Sequence, residues 1–265
     1  VITRWFTPGP PRVLAHRGLT RGDDGQTAPE NTLLAFLFAL DRGATHIETD
    51  VHVTRDGVAV LSHDPDFRRT TGDSTALHDV YHRELHRYPL GAGQEVPSLA
   101  EALHTFPEAR FNIDLKVDGA VAPAVAAIRR EGAVDRVLLT SFDDRRRRRA
   151  AAELPGVATS PGSSGVVRAA LASRLPSGRL GRALFSTGPL RGISALQVPE
   201  RHRGVVIVTP GLIDLAHENG VEVHVWTVDE PAYMVRLLDL GVDGLITDRA
   251  DLALDVVKRR AADAL

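Results

Sequence analysis

Four short stretches hold most of the residues able to do chemistry: "VLAHRG" with His16 and Arg17, "IETDV" with Glu48 and Asp50, "LSHD" with His63, and "NIDLK" with Asp114 and Lys116. Each begins as an apolar, β-branched run and turns polar towards its end. Side chains alternate faces along a strand, so Glu48 and Asp50 at i and i+2 point the same way, as do Asp114 and Lys116. Two carboxylates on one face and a third on a nearby strand make an all-oxygen site suited to Mg2+ or Ca2+ rather than to zinc or copper. Arg17 and Lys116 beside such a cation describe a phosphate pocket. His16 and His63 supply a general base and a general acid near neutral pH, in either assignment. The set points to metal-assisted cleavage of a phosphodiester, with water or a neighbouring hydroxyl as the nucleophile.

These groups need a scaffold that brings strand ends together. Eight strand-like runs recur: "RVLAH", "THIETDVHV", "RFNIDLKV", "RVLLTSF", "GVATSP", "ISALQVP", "VEVHVWTV" and "DGLITD". Helical periodicity separates most of them, at Asn31–Asp41, Ala120–Arg130, Pro210–Asn219, Pro231–Leu240 and Asp251–Ala262. Strands alternating with helices pair in parallel, and eight units imply a closed (β/α)8 barrel, whose usual size of roughly 250 residues matches the chain's 265. Barrel sites lie at the C-terminal strand ends, where the polar residues fall. Residues 1–265 read as one barrel domain with an insertion at about 64–97, after which "VPSLAEAL" restarts a helix. In "PENT", Asn31 or Thr32 suits a helix N-cap, and Gly43, Gly132, Gly220 and Gly241 fall where helices should stop. Residues 161–191, rich in Gly, Ser, Pro and Arg, read as irregular.

Composition removes several alternatives. Hydrophobic residues at 43% and charged residues at 25% are ordinary for a globular protein. A net charge of -2 gives no reason to expect nucleic acid as a partner. With no Cys, disulfides, thiolate metal sites and a Cys nucleophile are excluded. No run reaches the roughly 18 apolar residues of a membrane span, so stable membrane insertion is not expected. A cytoplasmic protein is the expectation, or a secreted one if a leader preceded Val1. The run Arg145–Arg149 spreads around a helix and reads as a solvated outer face, with Asp143 and Asp144 at its N-terminus. Asp23 and Asp24 read as solvating a loop. Trp226, near a strand end, reads as an apolar wall beside the bound substrate.

In "AHRG", "APENT", "IETDVHVTRDGVAVLSHD", "RTTG", "NIDLK", "VHVWTVD" and "GVDGLITDRAD", spread in order from Val13 to Asp251, the chain resembles the glycerophosphodiester phosphodiesterases. The resemblance implies a barrel of the phospholipase C-like kind and hydrolysis of a small glycerophosphodiester to sn-glycerol 3-phosphate and an alcohol. It implies His16 and His63 as the acid/base pair, and Glu48, Asp50 and Asp114 as ligands of one divalent cation. Arg17 and Lys116 match the phosphate contacts, and Glu30 a residue that orients the site. Many members of the family carry Glu where this chain has Asp114. Two other readings accompany this one: phospholipase D-type activity on lysophospholipids or sphingomyelin, and a non-catalytic module that binds glycerophosphodiesters or lipids.

Overall fold

The apolar runs are buried along nearly their whole length, as strands must be when helices cover one face and a filled interior the other. In the computed structural model, which describes residues 3–175 and 178–263, eight of them pair in parallel. They are β1 (Arg12–His16), β2 (His46–Val53), β4 (Arg110–Leu115), β5 (Val137–Thr140), β6 (Ala158–Thr159), β7 (Ala195–Pro199), β10 (Glu222–Trp226) and β11 (Gly244–Thr247). Their order is β6-β5-β4-β2-β1-β11-β10-β7. The ends of this series nearly meet: Ser194 N donates to Thr159 O at 2.8 Å, and Gln197 N to Ser160 Oγ at 3.1 Å. The result is a nearly closed (β/α)8 barrel, with β3 (Ala59–Leu61) antiparallel beside β2 and a hairpin of β8 (Arg201–His202) and β9 (Val205–Val206) after β7.

The helices are α1 (Leu33–Asp41), α2 (Arg68–Thr71), α3 (Leu99–Thr105), α4 (Val121–Arg130), α5 (Asp144–Glu153), α6 (Ser163–Ala172), α7 (Gly178–Phe185), α8 (Pro210–Glu218), α9 (Pro231–Asp239) and α10 (Ala250–Asp263). Thr32, not Asn31, caps α1, its Oγ1 accepting from Ala35 N at 3.2 Å. The four glycines stand just beyond the ends of α1, α4, α8 and α9. Residues 161–191 are more regular than their composition suggests. They hold α6 and α7, where Ala169, Ala170 and Ala172 are buried and Gly181 passes close to Ala172 O. Small side chains that weaken a periodic signal are what lets two helices approach closely.

The insertion has its own apolar centre of Phe67, Leu77, Val80, Leu85 and Val96 against Val60 of β3. Phe67 stacks on Tyr88 with centroids 4.1 Å apart. The arginine run also departs from expectation. Asp143 caps α5, accepting from Arg145 N at 2.7 Å, but Arg147 is buried, donating to Pro189 O at 2.9 Å and Thr159 Oγ1 at 3.2 Å. One turn of a solvated helix thereby braces the short strand β6. Asp23 and Asp24 likewise do more than solvate a loop: both pair with Arg42, at 2.7 and 2.5 Å.

At the end of the barrel where the strands begin, a 3-10 turn at Arg4–Phe6 buries Trp5 completely among Leu14, Leu138, Ala158, Ala195 and Ile246. His46 donates from Nε2 to Trp5 O at 2.8 Å, and burial pushes this histidine down to about 3, so it is neutral. Arg12 closes the same end by a two-pronged pair with Glu222 at 2.7 and 2.8 Å. Trp5→Ala should therefore destabilise the fold by about 3–5 kcal/mol, read from urea denaturation. A loss below about 1 kcal/mol would show that the indole is not the plug.

Candidate active site

β1 ends in an abrupt turn. Arg17 has φ +58 and Gly18 φ +88, and a Cβ on Gly18 would lie 2.7 Å from the backbone of Ala35 in α1. Only glycine lets α1 come this close, and that approach turns His16 and Arg17 over the barrel mouth. Register does the rest: His16 pairs with Glu48 and Glu48 with Asn112 on one rung, and Asp50 pairs with Asp114 two residues further along, so these side chains face the mouth on two successive levels.

They line a cavity of about 360 Å³ that includes His16, Arg17, Glu48, Asp50, His63, Asp114, Lys116 and Trp226. Eight of the nine residues expected from sequence therefore share one space. The ninth, Glu30, stands beside it, accepting from Arg17 Nη1 at 3.1 Å and from Arg69 at 2.6 and 3.0 Å. Around the barrel the lining divides in two. β1 to β4 and the loops after them contribute most of the titratable groups, whereas the segments from β5 to β10, α6 included, contribute Phe142, Pro161, Val166, Val167, Ile207 and Trp226, with His202 as their one titratable lining residue. Phe142 stands edge-on to Trp226 at 6.1 Å and lies 5.8 Å from Lys116 Nζ.

Both histidines are anchored through Nδ1, His16 on Asp248 Oδ1 at 2.6 Å and His63 on Asp64 Oδ1 at 2.8 Å. Each keeps Nε2 for the cavity. Burial pushes His16 down, but the hydrogen bond to Asp248 and the charge of Glu48 outweigh it, leaving the imidazole above its ordinary value. Asp64 is also held by Arg69 Nε at 2.5 Å, which ties α2 of the insertion to the site.

Lys116 Nζ bridges Asp50 at 2.7 Å and Asp114 at 2.6 Å. Arg17 Nε lies 3.1 Å from Asp50 Oδ2 as an ion pair, off the direction of a hydrogen bond. Burial raises Asp50, but Lys116 and Arg17 win and hold it below the usual carboxylate range. Asp114 is raised by burial, and Glu48 is pushed up to about 8 by burial and the neighbouring Asp50. The site is thus short of positive charge. Among the described residues no three His, Asp or Glu side chains form a finished cation cage; Lys116 stands between two of the carboxylates. The donor set nevertheless suits a hard divalent ion: every donor is oxygen, and Asp114 Oδ1 and Asn112 Oδ1 are buried without a hydrogen-bond partner.

The glycerophosphoryl diester phosphodiesterase family model matches residues 16–252. The chain belongs to that family. Among its relatives is a Mycobacterium tuberculosis protein named "Probable glycerophosphodiester phosphodiesterase 2", 42% identical over 94% of this chain and 91% of that one. Lysophospholipase D GDPD1 of Rattus norvegicus is 26% identical over 89% of this chain and 84% of its own. Among solved structures, a glycerophosphodiester phosphodiesterase of Agrobacterium tumefaciens superposes with a TM-score of 0.71 at 25% identity, covering 91% of this chain and 98% of that one. An Oleispira antarctica phosphodiesterase in complex with the product sn-glycerol-3-phosphate gives 0.72 at 21% identity, covering 94% and 97%, and shares the fold.

As a member of the glycerophosphoryl diester phosphodiesterase family the chain is an enzyme, and its site includes residues that sequence reasoning passed over. Asn31 is buried, donates to Asp50 Oδ2 at 3.0 Å and accepts from Thr49 Oγ1 at 2.7 Å, so it fixes a carboxylate instead of a helix end. Its φ of +55 lies in the left-handed region, where Asn is enriched over other non-glycine residues. Asp248 sits directly after β11, the same strand-end position that marked the other residues, and Asp229 holds it by accepting from Asp248 N at 2.9 Å. Asp248→Asn should lower kcat by about 10²-fold with little change in KM, because the imidazole keeps its place but loses the carboxylate that favours its charged form. Unchanged kcat would remove Asp248 from the machinery.

No helix among the described residues is long and apolar enough to cross a membrane.

Proposed function

We propose that this enzyme hydrolyses glycerophosphodiesters to sn-glycerol 3-phosphate and an alcohol, with His16 and His63 transferring the protons. The observation that carries the reading is the paired anchoring of the two imidazoles, each held through Nδ1 by a carboxylate and each lining the cavity that holds Arg17 and Lys116. Such a pair serves a reaction that takes up one proton at the nucleophile and returns another at the leaving group.

In this mechanism Arg17 and Lys116 meet the non-bridging oxygens of the phosphate. One histidine accepts the proton of the attacking oxygen as the new P–O bond forms. The other protonates the alkoxide as the old P–O bond breaks. The attacking oxygen belongs to water, or to the glycerol hydroxyl next to the phosphate; the second route passes through a cyclic glycerol phosphate that 31P NMR would reveal. Glu48, Asp50 and Asp114 are the residues that would hold a divalent cation, Mg2+ or Ca2+, which supplies Lewis-acid stabilisation of phosphate charge when bound. The apolar half of the cavity, with Trp226 and Phe142, faces the leaving alcohol.

That apolar half also favours a second reading, phospholipase D-type cleavage of lysophospholipids, an activity named in the rat relative. Chromatography of products from glycerophosphocholine and lysophosphatidylcholine separates the two. Glycerol 3-phosphate from the first substrate, at the higher kcat/KM, is the expected result. Preference for the second would install the alternative, and turnover of neither would leave a binding module.

A further inference from the structure

Large apolar side chains that stand in water are normally scattered, but here four of the seven among the described residues lie on neighbouring segments beside the cavity mouth. Phe142 is 61% exposed, Val167 56%, Leu171 59% and Val205 53%. Phe142 and Val167 form the rim of the catalytic cavity. Leu171 follows Val167 at i+4 and so continues the same face of α6. The β8–β9 hairpin lies beside the end of that face: Arg174, in the turn just after α6, donates to Val206 O at 2.7 Å, and His202 reaches the cavity wall. The apolar rim thus runs outward from the mouth along α6 and onto the hairpin tip.

Cations surround this rim. Arg145 and Arg148 of α5 share a shallow hollow with Phe142, and Arg201 and Arg203 frame the exposed hairpin. Among the described residues Arg148 and Arg203 have no carboxylate partner, and Arg145 stands near Asp143 without a side-chain ion pair. The nearby acids are occupied. Asp143 caps α5, Asp144 binds Gly162 N and Arg147, and Glu200 is held by Arg236. The chain as a whole is slightly acidic, so this local excess of positive charge stands against its average.

We propose that this face docks on an anionic lipid surface, with Phe142, Val167, Leu171 and Val205 entering the headgroup layer and Arg145, Arg148, Arg201 and Arg203 contacting lipid phosphates. Apolar side chains at the centre and cations around them are what a peripheral interfacial site requires. A second copy of the chain fits poorly, since it would set the same arginines against one another. Docking brings the cavity mouth to the lipid–water boundary. It rests on the exposed face and not on the identity of the hydrolysed substrate.

Sedimentation with vesicles tests the proposal, using phosphatidylcholine alone and phosphatidylcholine mixed with phosphatidylglycerol. The protein should pellet with the mixed vesicles, remain in solution with phosphatidylcholine alone, and bind more weakly as salt is raised. Arg148→Gln with Arg203→Gln should weaken partitioning by about 25-fold, about fivefold for each basic residue. Leu171→Asp with Val205→Asp should reduce binding to background. None of these four residues lines the cavity, so hydrolysis of dissolved glycerophosphocholine by both variants should match the unaltered enzyme, which also reports that they fold. Failure of the unaltered protein to bind mixed vesicles, equal binding to both vesicle types, or full binding by the variants would overturn the docking surface. So would self-association through this face that Leu171→Asp and Val205→Asp abolish while vesicle binding is absent. Loss of hydrolysis with every substrate, by contrast, would count against the phosphodiesterase reading alone.

Discussion

Replacing either His16 or His63 with Ala should lower kcat on a glycerophosphodiester by about 10²- to 10⁴-fold each, the usual contribution of a positioned acid or base. The fold should survive both changes. Asp248, left behind by His16→Ala, has a side chain half exposed to water and is not stranded as a buried charge. Asp64, left behind by His63→Ala, keeps Arg69. Stability in urea should therefore change by less than about 1 kcal/mol, in line with other partly exposed ion pairs. The double replacement should cost little more than the worse single one, because proton transfers that belong to one reaction do not act independently. A single variant retaining more than a tenth of the original rate would remove that histidine from proton transfer.

Lys116→Met should have the largest effect on stability of any change at the mouth. The ammonium lies between Asp50 and Asp114, whose side chains are almost wholly buried, and its removal leaves two carboxylates facing each other out of water. Breaking a buried pair in this way costs about 3–5 kcal/mol. The sign with pH follows from Asp50, which Lys116 and Arg17 hold below the usual range against the pull of burial. Stability from a lowered carboxylate is complete above its unfolded value and lost as pH falls through its folded value. The gap between Lys116→Met and the unaltered protein should accordingly be widest at neutral pH and narrow as the solution is acidified. If Glu48, Asp50 and Asp114 hold a divalent ion, added Mg2+ or Ca2+ should raise the melting temperature of Lys116→Met more than that of the unaltered enzyme. Equal shifts, or none, would count against the carboxylates as ligands without any assay of turnover.

The strands were legible because each carries an apolar, β-branched run long enough to be buried on both faces, and even the two-residue β6 was marked by "GVATSP". The polar strand ends followed from them, which is why eight of the nine expected site residues converge on one cavity. What escaped depends on contacts between distant segments. Asn31 carries the type of a helix cap, and only the approach of α1 to β2 turns it to Asp50. Arg69 lies in the insertion, where no barrel rhythm indicates that it will reach back to Glu30 and Asp64. Arg147 belongs to a run of five identical residues, and periodicity alone cannot say which of them faces inward to brace β6. Helices α6 and α7 were hidden by the small residues that allow them to pack. In each case the residue type was visible and its partner was not.

On the proposed mechanism, cleavage of the phosphodiester at this mouth needs a divalent cation held by Glu48, Asp50 and Asp114. The most direct measurement is release of glycerol 3-phosphate from glycerophosphocholine by protein stripped with a chelator, before and after Mg2+ or Ca2+ is returned. Negligible release from the stripped protein and recovery with one or both ions are the expected results. Full release without any divalent ion would contradict the assignment of Glu48, Asp50 and Asp114, and no release under any of these conditions would contradict the reaction itself.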